Sequence, residues 1–257
     1  LAAATIAGHL IECGAQACGG MYSDWNEEIS LTDVGYPIAE LSDDGSLIIK
    51  KPEGSGGVVN TGTLAEQLIY EIGDPQHYLT PDVDADFSNV ELTQEATDHV
   101  RVTGARGNPL PEAYKVSLSY RDGYMVSGTL VICGPDATAK ARRCGDMILE
   151  RVKRAGHELS RTNVECLGAG DSLPGIAPAD NEPWEVVLRI TAYDASREAV
   201  DRLSRELAPL VTSGPPGVTG YTGGRPKPRP VAAYWPTTIA RNKLSPVVKV
   251  KSAGHWN

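Results

Sequence analysis

"YMVSGTLVICGPDATAKARRCGDMILERVKRAG", residues 124–156, changes its hydrophobic period partway along. Up to Cys133 the run is rich in Val, Ile, Leu, Tyr and Thr, the composition of a strand. From Ala137 the apolar positions recur every three or four residues. Ala137, Ala141, Cys144, Ile148 and Val152 then form one helical stripe, which Gly156 ends. A strand followed directly by a helix that hides one face sets the expectation of an α/β chain.

Downstream, "TNVECLG" (162–168) reads as a strand, followed by a Gly/Pro/Asp-rich loop at 169–183. "WEVVLRITAYD" (184–194) is a further strand. "SREAVDRLSRELAPLV" (196–211) is a helix with Ala199, Leu203, Leu207 and Leu210 inward. Upstream, "YKVSLSY" (114–120) is read as a separate strand joined to 124–133 through Asp122-Gly123, a strong hairpin dipeptide. The expected order from 114 is β-β-α-β-β-α, close to a ferredoxin-like split β-α-β unit with both helices on one face of an antiparallel sheet. The fold class is therefore α/β (α+β) with mixed or antiparallel sheets. Residues 212–236 are turn-dense, and "PVVKVK" (246–251) reads as a short strand.

In the N-terminal half, residues 2–14 are helical in pattern and "PIAELSDDGSLIIKK" (37–51) is a hairpin about Asp44-Gly45. "TLAEQLIYEIG" (63–73) reads as an amphipathic helix with a Thr63–Glu66 capping box and Gly73 closing it. "NVELTQ" (89–94) and "HVRVTGA" (99–105) are strands. Two regions are expected. Residues 1–113 form the C-terminal part of a larger catalytic or ligand-binding domain, and 114–257 form the ferredoxin-like portion with its Gly/Pro-rich tail.

Composition sets limits. Of 257 residues, 41% are hydrophobic and 22% charged, which is the balance of a globular chain. A net charge of −9 argues against nucleic acid or an anionic membrane as partner. Five cysteines, an odd number without dense spacing, read as free thiols in a reducing cytoplasm.

The opening helix carries the candidate chemistry. On a wheel of 100° per residue His9, Glu12, Cys13 and Gln16 share one arc, while the remaining positions are Ala, Ile, Leu and Gly. Burying Glu12 without a partner would be costly, so the stripe is expected to line a polar cavity with His9 as general base and Glu12 as general acid. The alternative is a buried network that fixes helix packing, with Cys13 a small hydrophobe. No metal is expected, because Cys13-x₄-Cys18 is not a zinc spacing and no second Cys pair follows. The first lysine or arginine is Lys50, and "LAAATIAGHLI" reads as the middle of a buried helix, as if a preceding region of the same protein packed on it.

Two glycine-rich stretches invite an anion-binding reading. "EGSGGVVNTG" (53–62) runs into a helix, but lacks the P-loop lysine and is by default a surface loop. In the second, Gly217, Gly220, Gly223 and Gly224 precede Arg225, Lys227 and Arg229, a way to seat a carboxylate or phosphate in an acidic protein. His77, His99, His157 and His255 read as surface residues without a partner pattern. Asp180 and Glu182 beside Trp184 read as a solvated loop.

"GHLIECGAQACGG" (8–20), "DVGYPIAEL" (33–41), "GTLAEQLIYEIGDPQHYLTPDV" (62–83), "GPDATAKA" (134–141) and residues 212–236 together resemble the acyclic terpene utilisation (AtuA) family over nearly the whole chain. The resemblance implies a cytoplasmic protein working beside enzymes that degrade citronellol- and geraniol-type terpenoids through acyl-CoA intermediates. It also implies an N-terminal region of roughly two hundred residues, an ordinary domain size. It carries His9, Glu12, Cys13, Gln16 and the glycine tail through Arg225 as candidate sites. Two functions follow. One is a lyase or hydratase acting on a branched acyl-CoA or carboxylated intermediate by acid–base chemistry. The other is a non-catalytic ligand-binding or assembly subunit. Neither calls for a cofactor. The expected partners are a small-molecule substrate, a CoA thioester among the candidates, the protein's own N-terminal region and a second copy in a homo-oligomer.

Overall fold

The computed structural model describes residues 1–176, 182–220, 223–252 and 254. Its helices and antiparallel sheets make the chain a mixed α/β protein. It divides into two compact units, Leu1–Ser117 with Pro236–Asn257, and Leu118–Trp235.

In the first unit, α1 (Ala2–Glu12) buries Ile6, Ala7, His9 and Leu10. It leaves Leu1, Ala4, Gly8 and Ile11 exposed. The apolar residues thus do not bury the helix on all sides, and Glu12 is exposed and solvated. The helix stops one turn earlier than the wheel assumes. Cys13 caps it, and Gly14, at φ +56°, starts a 3₁₀ turn over Gly14–Cys18, so Gln16 leaves the helical arc.

The hairpin is present as β1 (Ile38–Leu41) and β2 (Leu47–Lys50), with Ile38 opposite Lys50 and Leu41 opposite Leu47. Within its loop Asp44 Oδ1 accepts from the Ser46 amide and hydroxyl. α2 (Thr61–Ile69) begins earlier than the sequence suggests. Asn60 is its cap, forming the reciprocal box with Thr63, and the helix ends at Tyr70 rather than Gly73. Glu66, freed from that role, accepts the Ser23 amide. A three-stranded antiparallel sheet follows, built from β3 (Tyr78–Leu79), β4 (Asp84–Asp86) and β7 (Arg106–Asn108) in that order. β5 (Glu91–Ala96) and β6 (His99–Thr103) complete a sheet of order β1-β2-β6-β5. Leu47 and Ile49 of β2, Val100 and Val102 of β6, and Ile6, Leu10 and Leu64 of the helices share one core.

A single strand, β8 (Ala113–Cys133), which belongs to the second unit from Leu118 onward, replaces the two expected strands. Asp122-Gly123 does not fold it back. Gly123 takes φ +71° within the strand, and antiparallel pairing with β10 (Glu185–Asp194) starts at Tyr124↔Asp194 and runs to Cys133↔Glu185. α3 (Ala137–Arg154), β9 (Arg161–Leu167), α4 (Arg197–Glu206), α5 (Leu210–Ser213) and β11 (Val218–Gly220) complete the unit. The order is therefore β-α-β-β-α-β, not β-β-α-β-β-α, and the antiparallel sheet runs β11-β8-β10-β9. This is the split β-α-β arrangement proper. The predicted inner stripes hold. Ala141, Cys144, Ile148 and Val152 of α3, with Leu203 of α4, meet Leu130 and Ile132 of β8 and Leu188 and Ile190 of β10 in one core. Both helices thus cover the same sheet face.

The Gly/Pro-rich stretch hides two strands, β11 and β12 (Arg229–Ala240), the latter also pairing with β8. Residues 246–251 form no strand. Among the described residues no helix is long and apolar enough to cross a membrane.

Candidate functional site

The glycine-rich segment borders a cavity of about 460 Å³ in the second unit. One wall is β8 at Ser127–Leu130, and the facing wall is the α4–α5 joint at Leu207, Ala208 and Val211. Gly220, Gly223, Gly224 and Arg225 line its mouth. Gly128 shapes the floor. A Cβ there would lie 2.4 Å from Leu207 Cδ1, so any larger residue would have to displace the Leu207 side chain. Gly224 has φ +74°, which favours glycine, and the chain turns there to present Arg225.

Arg225 Nη1 lies 3.6 Å from Asp201 Oδ1. Asp201 is already held by Arg205 at 2.6 and 2.9 Å, and that bond, with Arg205, Arg225 and Arg197 charge nearby, keeps its carboxyl below the usual range. Gly217 does not line the cavity. At φ +92° it packs on the end of β8, where its carbonyl accepts the Cys133 amide at 3.0 Å. Lys227 and Arg229 are exposed.

The four candidates on the opening helix belong to the first unit. His9 is 6% exposed, its Nε2 3.2 Å from the Leu68 carbonyl and its ring edge-on to Tyr78 and Phe87. Its carbonyl accepts from Gln67 Nε2 at 3.0 Å. Glu12 and Cys13 do meet, the thiol donating to Glu12 Oε2 at 3.0 Å. That bond to the carboxylate, with some burial, raises the Cys13 pKa and keeps the group a thiol rather than a thiolate. Gln16 is half-buried in the 3₁₀ turn. The structure thus brings Glu12 to Cys13 and seats His9 in an aromatic, hydrogen-bonded niche.

The first glycine-rich loop is not an anion cradle. Its amides are used internally: Gly56 N donates to Asp33 O, Gly57 N to Ser30 O, Val58 N to Cys18 O, and Val59 N to Asp98 Oδ1. All five cysteines are unpaired, and burial pushes the Cys18 pKa up to about 11. Among the described residues no group of three His, Cys, Asp or Glu side chains is placed to hold a metal ion. Asp180 and His255 lie outside the described residues; Glu182 is exposed, and Trp184 is 70% exposed.

One pair escaped the sequence reading. His77, expected to be without a partner, has Nδ1 2.8 Å from Asp84 Oδ2. That hydrogen bond and the Asp84 charge raise the His77 pKa. The signal was the "HYLTPDVDAD" hairpin (77–86), whose Tyr78↔Ala85 register brings His77 beside Asp84 and Asp86.

No curated protein and no solved structure matches the chain. The model of the acyclic terpene utilisation family protein AtuA matches residues 1–250, nearly the whole length, so the chain belongs to that family and its membership points to a role in acyclic terpene utilisation.

Proposed function

We propose that the protein serves acyclic terpene utilisation by binding an anionic, branched acyl intermediate in the cavity bordered by Gly220, Gly223 and Gly224. The ligand class is a carboxylated acyclic terpenoid or its CoA thioester. The observation that carries this reading is one guanidinium, Arg225, at the mouth of a chamber of about 460 Å³ walled by Leu130, Leu207 and Val211. Walls that are mostly apolar, with the hydroxyls of Ser127, Thr129 and Ser204 among them and Arg225 at the mouth, suit a hydrocarbon body with an acidic end. Burying the hydrocarbon contributes about 25 cal/mol per Å², and a carboxylate can take both guanidinium N–H groups. Arg225 gives up only a long 3.6 Å contact to turn toward the ligand, because Arg205 keeps Asp201 paired. The reading invokes no cofactor and no metal. The unpaired thiols support the reducing cytoplasm as its compartment.

Calorimetric titration with citronellic acid tests it. The wild-type chain should bind saturably, Arg225→Gln should weaken binding at least tenfold, about 1.4 kcal/mol, and Val211→Trp should fill the chamber and abolish it. Absence of wild-type binding to both the acid and its CoA thioester, or an unchanged Arg225→Gln affinity, rejects the site.

A second reading keeps lyase or hydratase chemistry at His9, Glu12, Cys13 and Gln16, and the direct Cys13–Glu12 hydrogen bond supports it. His9→Gln and Glu12→Gln, both close to volume-conserving, should then each abolish terpenoid-dependent growth while changing stability by only about 1–2 kcal/mol. Full growth of both variants would leave the stripe a packing feature. The geometry favours binding, since His9 is buried and its Nε2 is engaged with the Leu68 carbonyl, which leaves only a shielded Nδ1 to act as a base.

A further inference from the structure

Asp84 and His77 form an arrangement that neither reading above uses. Asp84 lies in β4, whose backbone pairs with β3 on one side and β7 on the other. The residue is only 8% exposed. Its Oδ2 meets His77 Nδ1 at 2.8 Å and accepts Asn108 Nδ2 at 3.4 Å. Its Oδ1 is buried and has no partner. The His77 side chain, by contrast, is 57% exposed. A buried carboxylate on Nδ1 fixes the neutral ring as the Nδ1–H tautomer and leaves Nε2 as the basic nitrogen. Asp74 and Asp86 add negative charge around the ring, Asp86 being partly offset by Arg106. That field repels an anion and tolerates an uncharged group.

We propose that His77 Nε2, positioned by Asp84, is a proton-acceptor site for water or an uncharged hydroxyl-bearing molecule. In the step it supports, the O–H bond breaks and an N–H bond forms at Nε2. The oxygen's electron pair bonds a carbonyl carbon, the carbonyl's single bond to its leaving oxygen breaks, and Nε2 afterwards releases the proton to that oxygen or to solvent. His77 is the catalytic residue and Asp84 the positioning residue. The chemistry stands apart from the Arg225 cavity, and its test uses no terpenoid.

The probe is p-nitrophenyl acetate, with water as the hydroxyl partner, followed across pH for the whole chain and for His77→Gln and Asp84→Asn. The wild type should hydrolyse it at least about tenfold faster than His77→Gln. Its rate should rise through an inflection above the ordinary histidine value of 6.5. Asp84→Asn should lower both the rate and the inflection. Equal rates for wild type and His77→Gln, or an inflection that Asp84→Asn leaves in place, overturn the proposal. Should a variant fail to fold, diethyl pyrocarbonate labelling of the wild type, mapped by mass spectrometry at alkaline pH, decides. His77 reacting faster than His99 and His157 supports the site, and slower reaction than both overturns it.

Discussion

The two units reach a closed core by different means. In the second, the ten-residue β10 and the facing end of β8 alternate between buried and more exposed positions, and two amphipathic helices lay aliphatic stripes on one sheet face. In the first, strands have 2 to 6 residues, too short for alternation to specify much. Order there comes from individual side-chain hydrogen bonds, most of them to backbone. Gln67 reaches His9 O, Asp98 takes the Val59 amide, Asn60 caps α2, and Asp84 pins His77. The first unit also buries His9, Thr63, Gln67 and Asp84. Long periodic elements make a core that tolerates little loss of volume. Short elements make one that depends on individual hydrogen bonds.

The largest expected effect strikes the apolar core. Leu203 is fully buried between α4 and the sheet, so Leu203→Ala should cost the second unit about 2–5 kcal/mol through lost transfer energy and the cavity left behind. Native-state hydrogen exchange should report this loss at amides of β9 and β10. Equal loss at amides of β2 and β6 would break the distinction between the units.

In the first unit the comparable probe is a cap. Asn60 Oδ1 accepts the Thr63 amide at 2.8 Å, and Thr63 Oγ1 accepts the Asn60 amide at 3.1 Å. Asn60→Ala removes the first and leaves a helix-start donor unpaired, so it should cost about 1 kcal/mol. Chemical denaturation followed in the first unit should show it, and a change under about 0.3 kcal/mol would mean water replaces the cap without penalty.

The same contrast explains what could be read in advance. Ala141, Cys144, Ile148 and Val152 follow a helical period over several turns, so a stripe on α3 was visible and correct. Asp122-Gly123 misled because the dipeptide favours a turn only where a partner strand returns, and here β10, some sixty residues on, is the partner. β12 was missed because Pro230 and Pro236 read as loop, although a strand bearing prolines is tolerated where it need not donate at those positions. For the candidate sites, the glycines and Arg225 were legible from composition, but the chamber over Gly128 needs the α4–α5 joint, which no local pattern encodes. His77 and Asp84 sit seven residues apart across a short hairpin, and only the register makes them partners.

A smaller effect is set by pH. The His77 pKa is raised by its hydrogen bond to Asp84 and that carboxylate's charge, with Asp74 and Asp86 adding to it. The folded state therefore binds this proton more tightly than the unfolded one. The resulting stabilisation is fully present below pH 6.5, the ordinary histidine value, and is lost as pH rises through the higher folded value. The thermal midpoint of the first unit should fall across that window, and His77→Gln should flatten the fall. A midpoint that rises there, or a fall that survives the substitution, contradicts the pairing.

The smallest structural effect, and the one that sharpens the picture of the opening helix, is expected at Glu12. The residue is exposed, so Glu12→Gln should change stability by no more than about 0.5 kcal/mol. Its chemical effect lies next door. The Cys13 thiol donates to Glu12 Oε2 at 3.0 Å, and this hydrogen bond is the main reason its pKa is raised. A carboxylate beside a sulfur stabilises the protonated thiol and repels the thiolate, and a carboxamide does the first weakly and the second not at all. Glu12→Gln should therefore lower the Cys13 pKa and speed its alkylation by iodoacetamide at a fixed, mildly alkaline pH, because the thiolate is the reacting species. Cys18, Cys144 and Cys166, buried and with raised pKa values of their own, should stay slow in both proteins and serve as internal references. Peptide-resolved mass spectrometry separates the sites. If Cys13 alkylates at the same rate in both proteins, the Glu12 contact does not govern the thiol, and the acid–base reading of the helix loses the one observation that supports it.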